Sequence, residues 1–118
     1  MELSVTTRED GIMVLGLSGR MDIDGTGEVD LKLNAVTAED HGSVIGDLTG
    51  ITFMSSIGIG ALVRVAKAVR RRGGNMVLCG AQPVVKLALE KTGIPSLIPM
   101  FDTMAEAVSG IAEQPRVR

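Results

Sequence analysis

Two adjacent serines, Ser55 and Ser56, have the type and position to do chemistry at a surface. They precede Gly58 and Gly60 and lie where an apolar run gives way to a helical pattern. The first N–H groups of a helix have no partner within the helix, so a serine hydroxyl there can cap them. A phosphate there would meet the same N–H groups and the positive end of the helix dipole. Two interpretations therefore stand side by side: a capping serine beside turn glycines, and a serine that carries phosphate.

The elements on either side of the serines follow from the apolar pattern. Residues 43–48 form a short apolar run that ends at Thr49-Gly50, which predicts a buried strand. Apolar residues then recur at helical spacing and predict a helix over residues 56–72, with Ser56 as its cap. The apolar face of this helix comprises Ile59, Leu62, Val63, Ala66 and Val69, and the opposite face carries Arg64, Lys67 and Arg71.

The rest of the chain alternates between strand and helix patterns. Residues 2–7 and 12–17 predict two strands joined by the turn Glu9-Asp10-Gly11. A helix is predicted over residues 28–38, with Thr26 as its N-cap. The remaining predictions are a strand over 76–80, a helix over 83–91, a strand over 97–100, a helix capped by Asp102 or Thr103 that runs to residue 112, and a frayed tail over 114–118.

This order predicts an α/β fold in one domain, residues 1–113. Alternating strands and helices imply parallel strands joined by helical crossovers. With the hairpin in front, the sheet is mixed and about four helices pack against it. The length of 118 residues suits a single hydrophobic core.

Composition excludes several classes of function. The net charge is only −2, and the two phenylalanines are the only aromatic residues, so a nucleic-acid surface is not expected. No apolar run reaches the ~18 residues that span a membrane, and the N-terminus has no signal-peptide pattern. We therefore expect a cytoplasmic protein. Its single cysteine, Cys79, lies in an apolar run and is expected to be buried and inert.

Catalytic motifs are missing as well. His41 is the only histidine, and no Gly-x-Ser-x-Gly elbow surrounds Ser55 or Ser56. Gly58 and Gly60 begin a Gly-x-Gly-x-x-Gly pattern, but Val63 stands where the third glycine belongs. We expect no enzyme activity, no bound cofactor and no metal site.

The amino-acid sequence of the central segment says more about its function than its position between a strand and a helix does. Asp47-Leu48-Thr49-Gly50-Ile51-Thr52-Phe53-Met54-Ser55-Ser56-Ile57-Gly58-Ile59-Gly60 resembles the signature of STAS domains, and within them the anti-sigma-factor antagonists of bacteria. The family pattern has Asp-Ser-(Ser/Thr)-Gly-(Leu/Ile)-Gly, in which the serine after the Asp is phosphorylated. The resemblance assigns that role to Ser56, with Ser55 as the alternative. Here Ser55 replaces the Asp, and Ile57 replaces the small hydroxyl residue.

The resemblance implies a function. Family antagonists bind an anti-sigma factor, commonly a serine protein kinase, and free the sigma factor. The kinase phosphorylates the antagonist and ends the complex, and a phosphatase resets it. ATP and magnesium would then belong to the kinase, and the chain would be a monomer or weak homodimer. One alternative is a STAS scaffold or sensory module that does not switch, and another is a small nucleotide-binding protein.

The same resemblance suggests a partner surface. Gly19-Arg20-Met21-Asp22 resembles a Gly-x-Leu-Asp element of the family, so Asp22 belongs either to this surface or to a local turn. Arg64 and Lys67 on the helix would favour an acidic partner. The predicted surface comprises Asp22, Met54, Ser55, Ser56, Ile57, Gly58, Gly60, Arg64 and Lys67.

Overall fold

In the described part of the chain, five strands lie side by side in chain order in a single mixed sheet. The computed structural model describes residues 1–38 and 42–113. The first two strands are antiparallel, and every later pair is parallel. The elements are β1 (Glu2–Thr7), β2 (Met13–Met21), α1 (Ile23–Ala38), β3 (Val44–Met54), α2 (Ser56–Arg71), β4 (Met76–Cys79), α3 (Pro83–Lys91), a 3-10 turn (Ile94–Ser96), β5 (Met100–Phe101) and α4 (Met104–Glu113).

The helices cover both faces of the sheet. Helices α1, α2 and α3 share one core with the strands, and α4 forms a smaller core on the opposite face. Strand β4 shows the arrangement: Met76 and Leu78 enter the larger core, while Val77 and Cys79 enter the smaller one. A strand that is buried on both faces is apolar throughout, as the sequence of β4 is. The predicted α/β fold with an N-terminal hairpin is confirmed.

Strands β2 and β3 are longer than predicted. The predicted strands end at residues 17 and 48, but the structure continues them to Met21 and Met54. Ser18-Gly19 and Thr49-Gly50 suggested the strand ends, because small and turn-forming residues often follow a strand. Both pairs instead lie within the paired part of β2 and β3, where Ser18 pairs with Gly50. A Cβ on Gly50 would come within 2.6 Å of the Ser18 Cβ, so glycine is needed here for close approach of the strands.

Two further boundaries differ from the prediction. Helix α1 begins at Ile23, five residues earlier than predicted, and Thr26 is a buried helical residue rather than the cap. The last strand is Met100–Phe101, because the chain first makes the 3-10 turn and buries Ile98 in the core. The apolar run over residues 97–100 suggested a strand, because periodicity alone does not distinguish a short strand from another short apolar segment.

The other helices begin and end close to their predicted residues. Helices α2 and α3 span Ser56–Arg71 and Pro83–Lys91. On α2 the apolar face is as predicted except that Val63 is only half-buried and Val65 is fully buried. Thr103 caps α4, since its Oγ1 accepts a hydrogen bond from the Glu106 N–H at 3.1 Å. The predicted tail over 114–118 and the loop residue His41 lie outside the described residues.

Candidate functional site

Ser55, not Ser56, caps helix α2. Its Oγ accepts a hydrogen bond from the Gly58 N–H at 3.3 Å and donates one to the Met21 carbonyl oxygen at 2.7 Å. The Ser55 N–H also donates to the Met21 carbonyl, at 3.0 Å. One residue therefore caps the helix and ties its first turn to the end of β2. This corrects the expectation that Ser56 is the cap.

Ser56 is the first helical residue, and it is exposed. Within residues 1–38 and 42–113, no hydrogen bond of its hydroxyl is found. Because Ser55 provides the cap, a modification of the Ser56 hydroxyl would break no capping hydrogen bond. Replacement of the family's Asp by Ser55 keeps a capping oxygen at this position.

The division of roles between the two serines predicts different effects on stability. We expect Ser55→Ala to lower the free energy of unfolding by about 1 kcal/mol, since it removes the cap and leaves the Met21 carbonyl with one donor fewer. Ser56→Ala should change it by less than about 0.5 kcal/mol, as is usual for exposed positions. Urea unfolding of both variants measures the difference. Equal losses would contradict the assignment of the cap to Ser55.

Asp22 caps helix α1 at the same end of the sheet. Its Oδ1 accepts a hydrogen bond from the Gly25 N–H at 2.8 Å, and Oδ2 lies 3.4 Å from Arg20 Nε. The bond from Gly25, assisted by Arg20, lowers the pKa of the Asp22 carboxyl below its usual value. The local-turn interpretation of Asp22 is therefore what the structure shows. Its place in a partner surface stays a prediction, although it directly follows Met21, the residue bonded to Ser55.

Three exposed apolar side chains lie close along the chain to these caps. Ile23, Phe53 and Ile57 are 68%, 38% and 44% exposed. Each is within two residues of Ser55 or Met21 in the sequence. The Arg20 guanidinium lies 4.4 Å from the centre of the Phe53 ring. We call Ile23, Phe53 and Ile57 the apolar rim. They lie near the paired strand ends Met21 and Met54, and exposed large apolar side chains at one end of a sheet are candidates for contact with a partner.

The sequence predicted only Ile57 of this rim. Ile23 lies outside the predicted helix over residues 28–38, because α1 begins five residues earlier. Phe53 lies outside the predicted strand over residues 43–48, because β3 continues to Met54. Asp22 is the sequence signal for the start of α1, because aspartate is a favoured N-cap and its side chain bonds the N–H of Gly25, three residues later. With Asp22 as the cap, Ile23 is the first helical residue, whereas the sequence predicted the cap at Thr26.

Two residues of the predicted surface are buried. Met54 is 7% exposed, and Gly58 lies against Met21 and Met54. A Cβ on Gly58 would come within 2.9 Å of the Met21 Cβ, the Met21 carbonyl oxygen and the Met54 Sδ. Gly58 therefore lets α2 pack closely on the end of β2, rather than letting a partner approach Ser56. Gly60 is half-exposed, as the predicted surface requires.

Helix α2 presents a basic face beyond the serines. Arg64 and Lys67 are exposed, and Arg64 Nη2 lies 3.5 Å from Asp30 Oδ1 on α1. The helix has no acidic residue, although the chain as a whole carries a net charge of −2. The cations of α2 are Arg64, Lys67, Arg70 and Arg71. The exposed surface of α2 thus runs from a hydroxyl and an apolar side chain at one end to cations at the other.

The thiol of Cys79, possible metal ligands and possible membrane-spanning helices complete the description of the site. Cys79 is buried, and burial together with the nearby Asp47 charge raises the pKa of its thiol to about 11, so the thiolate nucleophile is scarce. In the described ranges, no group of three or more His, Cys, Asp or Glu side chains is placed to hold a metal ion. None of the helices found there combines the length and apolar character needed to cross a membrane.

Comparison with known proteins identifies the fold. The family model of the STAS domain matches residues 4–107. An anti-sigma F factor antagonist of Paenibacillus polymyxa is 25% identical over 84% of this chain and 86% of its own length. Its name is that of a regulator rather than an enzyme, in agreement with the expectation that this chain is not an enzyme.

Solved structures agree with the family model. The crystal structure of an anti-sigma factor antagonist from Mycobacterium paratuberculosis superposes with a TM-score of 0.84 at 20% identity, over 95% of this chain and 94% of the other. The Bacillus cell fate determinant SpoIIAA in its phosphorylated form superposes with a TM-score of 0.69 at 18% identity, over 93% and 99% of the two chains. Together with the match over residues 4–107, these likenesses show that the chain belongs to the STAS domain family.

Proposed function

We propose that this chain is an anti-sigma factor antagonist whose complex with an anti-sigma factor is ended by phosphorylation of Ser56. The observation that carries the proposal is the exposed hydroxyl of Ser56, directly after the capping Ser55 and beside the apolar rim. The regulator relative named above supports the first half of the proposal. A fold neighbour described in a phosphorylated form supports the second.

The surface suits a partner that binds apolar and acidic groups together. Contact with the apolar rim would remove Ile23 and Ile57 from water, at about 25 cal/mol for each Å² of apolar surface buried. Arg64 and Lys67 would meet acidic groups of the partner and accelerate the encounter. Ser56 would then lie inside the contact area, because it precedes Ile57 and shares a helix with both cations.

A phosphate in this contact area would oppose binding. Phosphoserine adds about −1.5 to −2 charges at neutral pH, which is comparable to the net charge of −2 of the whole chain. Removing that charge from water against apolar or acidic groups costs several kcal/mol. A neutral hydroxyl costs much less to remove from water than a phosphate dianion.

The partner in this proposal is an anti-sigma factor of the serine protein kinase type. It would supply ATP and magnesium, and this chain would be its protein substrate. A phosphatase would restore the bare form, and the cycle would take place in the cytoplasm. The sigma factor would be free for transcription while Ser56 carries no phosphate.

Labelling with radioactive ATP and the cognate kinase tests the assignment of the hydroxyl. We expect Ser56→Ala to abolish labelling, whereas Ser55→Ala should remain labelled because the modified oxygen is unchanged. Circular dichroism of the Ser55→Ala protein serves as the folding control. Equal labelling of Ser56→Ala and the parent would refute the assignment. No labelling of the parent would favour a scaffold that does not switch, and ATP loss without a kinase would favour a nucleotide-binding protein.

A further inference from the structure

The side chain of Arg64 lies back along α2 toward the start of the helix. A Cβ built on Gly60 would lie 3.6 Å from Arg64 Nη1 and, in the described part of the chain, would meet no other side chain within 4 Å. The guanidinium therefore lies beside Gly60, four residues nearer to Ser56 than the backbone of Arg64 itself. Its other terminal nitrogen, Nη2, reaches Asp30 Oδ1 on α1 at 3.5 Å.

Helix geometry relates this guanidinium to Ser56. Ser56, Gly60 and Arg64 are spaced four residues apart and therefore form one row on the helix surface. Four residues correspond to a rise of about 6 Å. Gly60 lies between the other two in this row, and it has no side chain to separate the guanidinium from Ser56. Rotation of the exposed Ser56 side chain can turn a phosphoryl group on its Oγ toward the guanidinium.

We propose that Arg64 binds the phosphate on Ser56 within the same molecule and gives up Asp30 to do so. The inference rests on the proposed function in taking Ser56 as the modified residue. A phosphate dianion offers three strong acceptor oxygens and more charge than one carboxylate. The bond from Arg64 to Asp30 is long and exposed, so it is weak. Asp30 keeps a second contact, since Asn34 Nδ2 lies 3.4 Å from Oδ1.

Phosphorylation would then change three features of the surface together. A negative charge would appear at Ser56, one cation of the basic face would turn away from the partner, and the ion pair between α1 and α2 would open. Lys67 would not take part, because it lies eleven residues from Ser56, about 16 Å along the helix. Lys67 therefore provides a matched control on the same helix.

The test uses phosphoserine incorporated genetically at position 56, so that no kinase is needed. Phosphorus NMR then follows the second ionisation of the phosphate in the parent, in Arg64→Gln and in Lys67→Gln. We expect the phosphate pKa to be about 0.3–0.7 unit lower in the parent than in Arg64→Gln, the size expected for an exposed ion pair. Lys67→Gln should titrate like the parent.

Two results would overturn the proposal. One is the same phosphate pKa in Arg64→Gln and the parent, and the other is an equal shift in both variants, which would indicate a general field of cations rather than a contact. The proposed function is tested separately. If the kinase fails to label Ser56, the switch is refuted while the contact to the installed phosphate can still be measured. If Arg64→Gln leaves the phosphate pKa unchanged, the contact is refuted while the switch stands.

Discussion

Phosphorylation of Ser56 should weaken the affinity for the anti-sigma factor at least ~100-fold, which is about 2.7 kcal/mol of binding free energy. The same phosphate should leave the monomer as stable as before or slightly more so. In the monomer it is exposed at the start of α2, where the helix dipole favours a negative charge by roughly 0.3–1 kcal/mol. In the complex it must be removed from water, at a cost of several kcal/mol. The second effect is larger, so binding is lost although folding is not.

Calorimetric titration and thermal melting of the two forms measure both effects on the same samples. Ser56→Ala is the matched control: it should bind as the bare protein does and should not respond to the kinase. A phosphorylated protein that binds as tightly as the bare one would show that Ser56 is not a switch. A fall in melting temperature on phosphorylation would show instead that the phosphate disturbs the first turn of α2.

Gly58→Ala should destabilise the fold by about 1–3 kcal/mol, whereas Gly60→Ala should stabilise it by about 0.5–1 kcal/mol. The Gly58 Cβ would overlap the Met21 backbone and the Met54 Sδ at 2.9 Å, and the backbone cannot move away without shifting β2. The Gly60 Cβ would make only an ordinary contact with Arg64 at 3.6 Å. Alanine at that site gains helix propensity at no steric cost.

Urea unfolding of the two variants compares two glycines of the same helix turn. The measured difference between them should be at least about 1.5 kcal/mol, with Gly58→Ala the less stable. Similar stability would mean that α2 is not held closely against the end of β2. In that case Ser55 would not be fixed by the Met21 carbonyl, and the position of Ser56 would not follow from the fold.

The order of the elements was predictable because the chain has clear local periods. The apolar pattern of α2 and the short apolar run of β4 need no knowledge of their neighbours. The ends of β2 and β3 were not predictable in this way. Ser18-Gly19 and Thr49-Gly50 have the composition of turns, but small residues are present there because two strands approach closely. Only the pairing itself reveals that reason.

The sequence predicted the serines at the start of α2 but not the exposed residues Ile23 and Phe53. The sequence located the start of α2 but assigned the cap to Ser56 instead of Ser55, because capping depends on backbone angles and on the Met21 carbonyl, 34 residues away. Ile23 and Phe53 were missed because their exposure depends on where α1 begins and β3 ends. The burial of Gly58 likewise depends on a strand distant in the sequence.

The most direct test is to locate the phosphate by mass spectrometry of the protein purified from its own cells. Trypsin should release residues 33–64 as one peptide, since no Lys or Arg lies between Lys32 and Arg64. Fragment ions that separate Ser55 from Ser56 then show which hydroxyl is modified. We predict a fraction of this peptide with a single phosphate on Ser56 and none on Ser55. Phosphate confined to Ser55, or a peptide that never carries phosphate while sigma-factor activity changes, would contradict the switch.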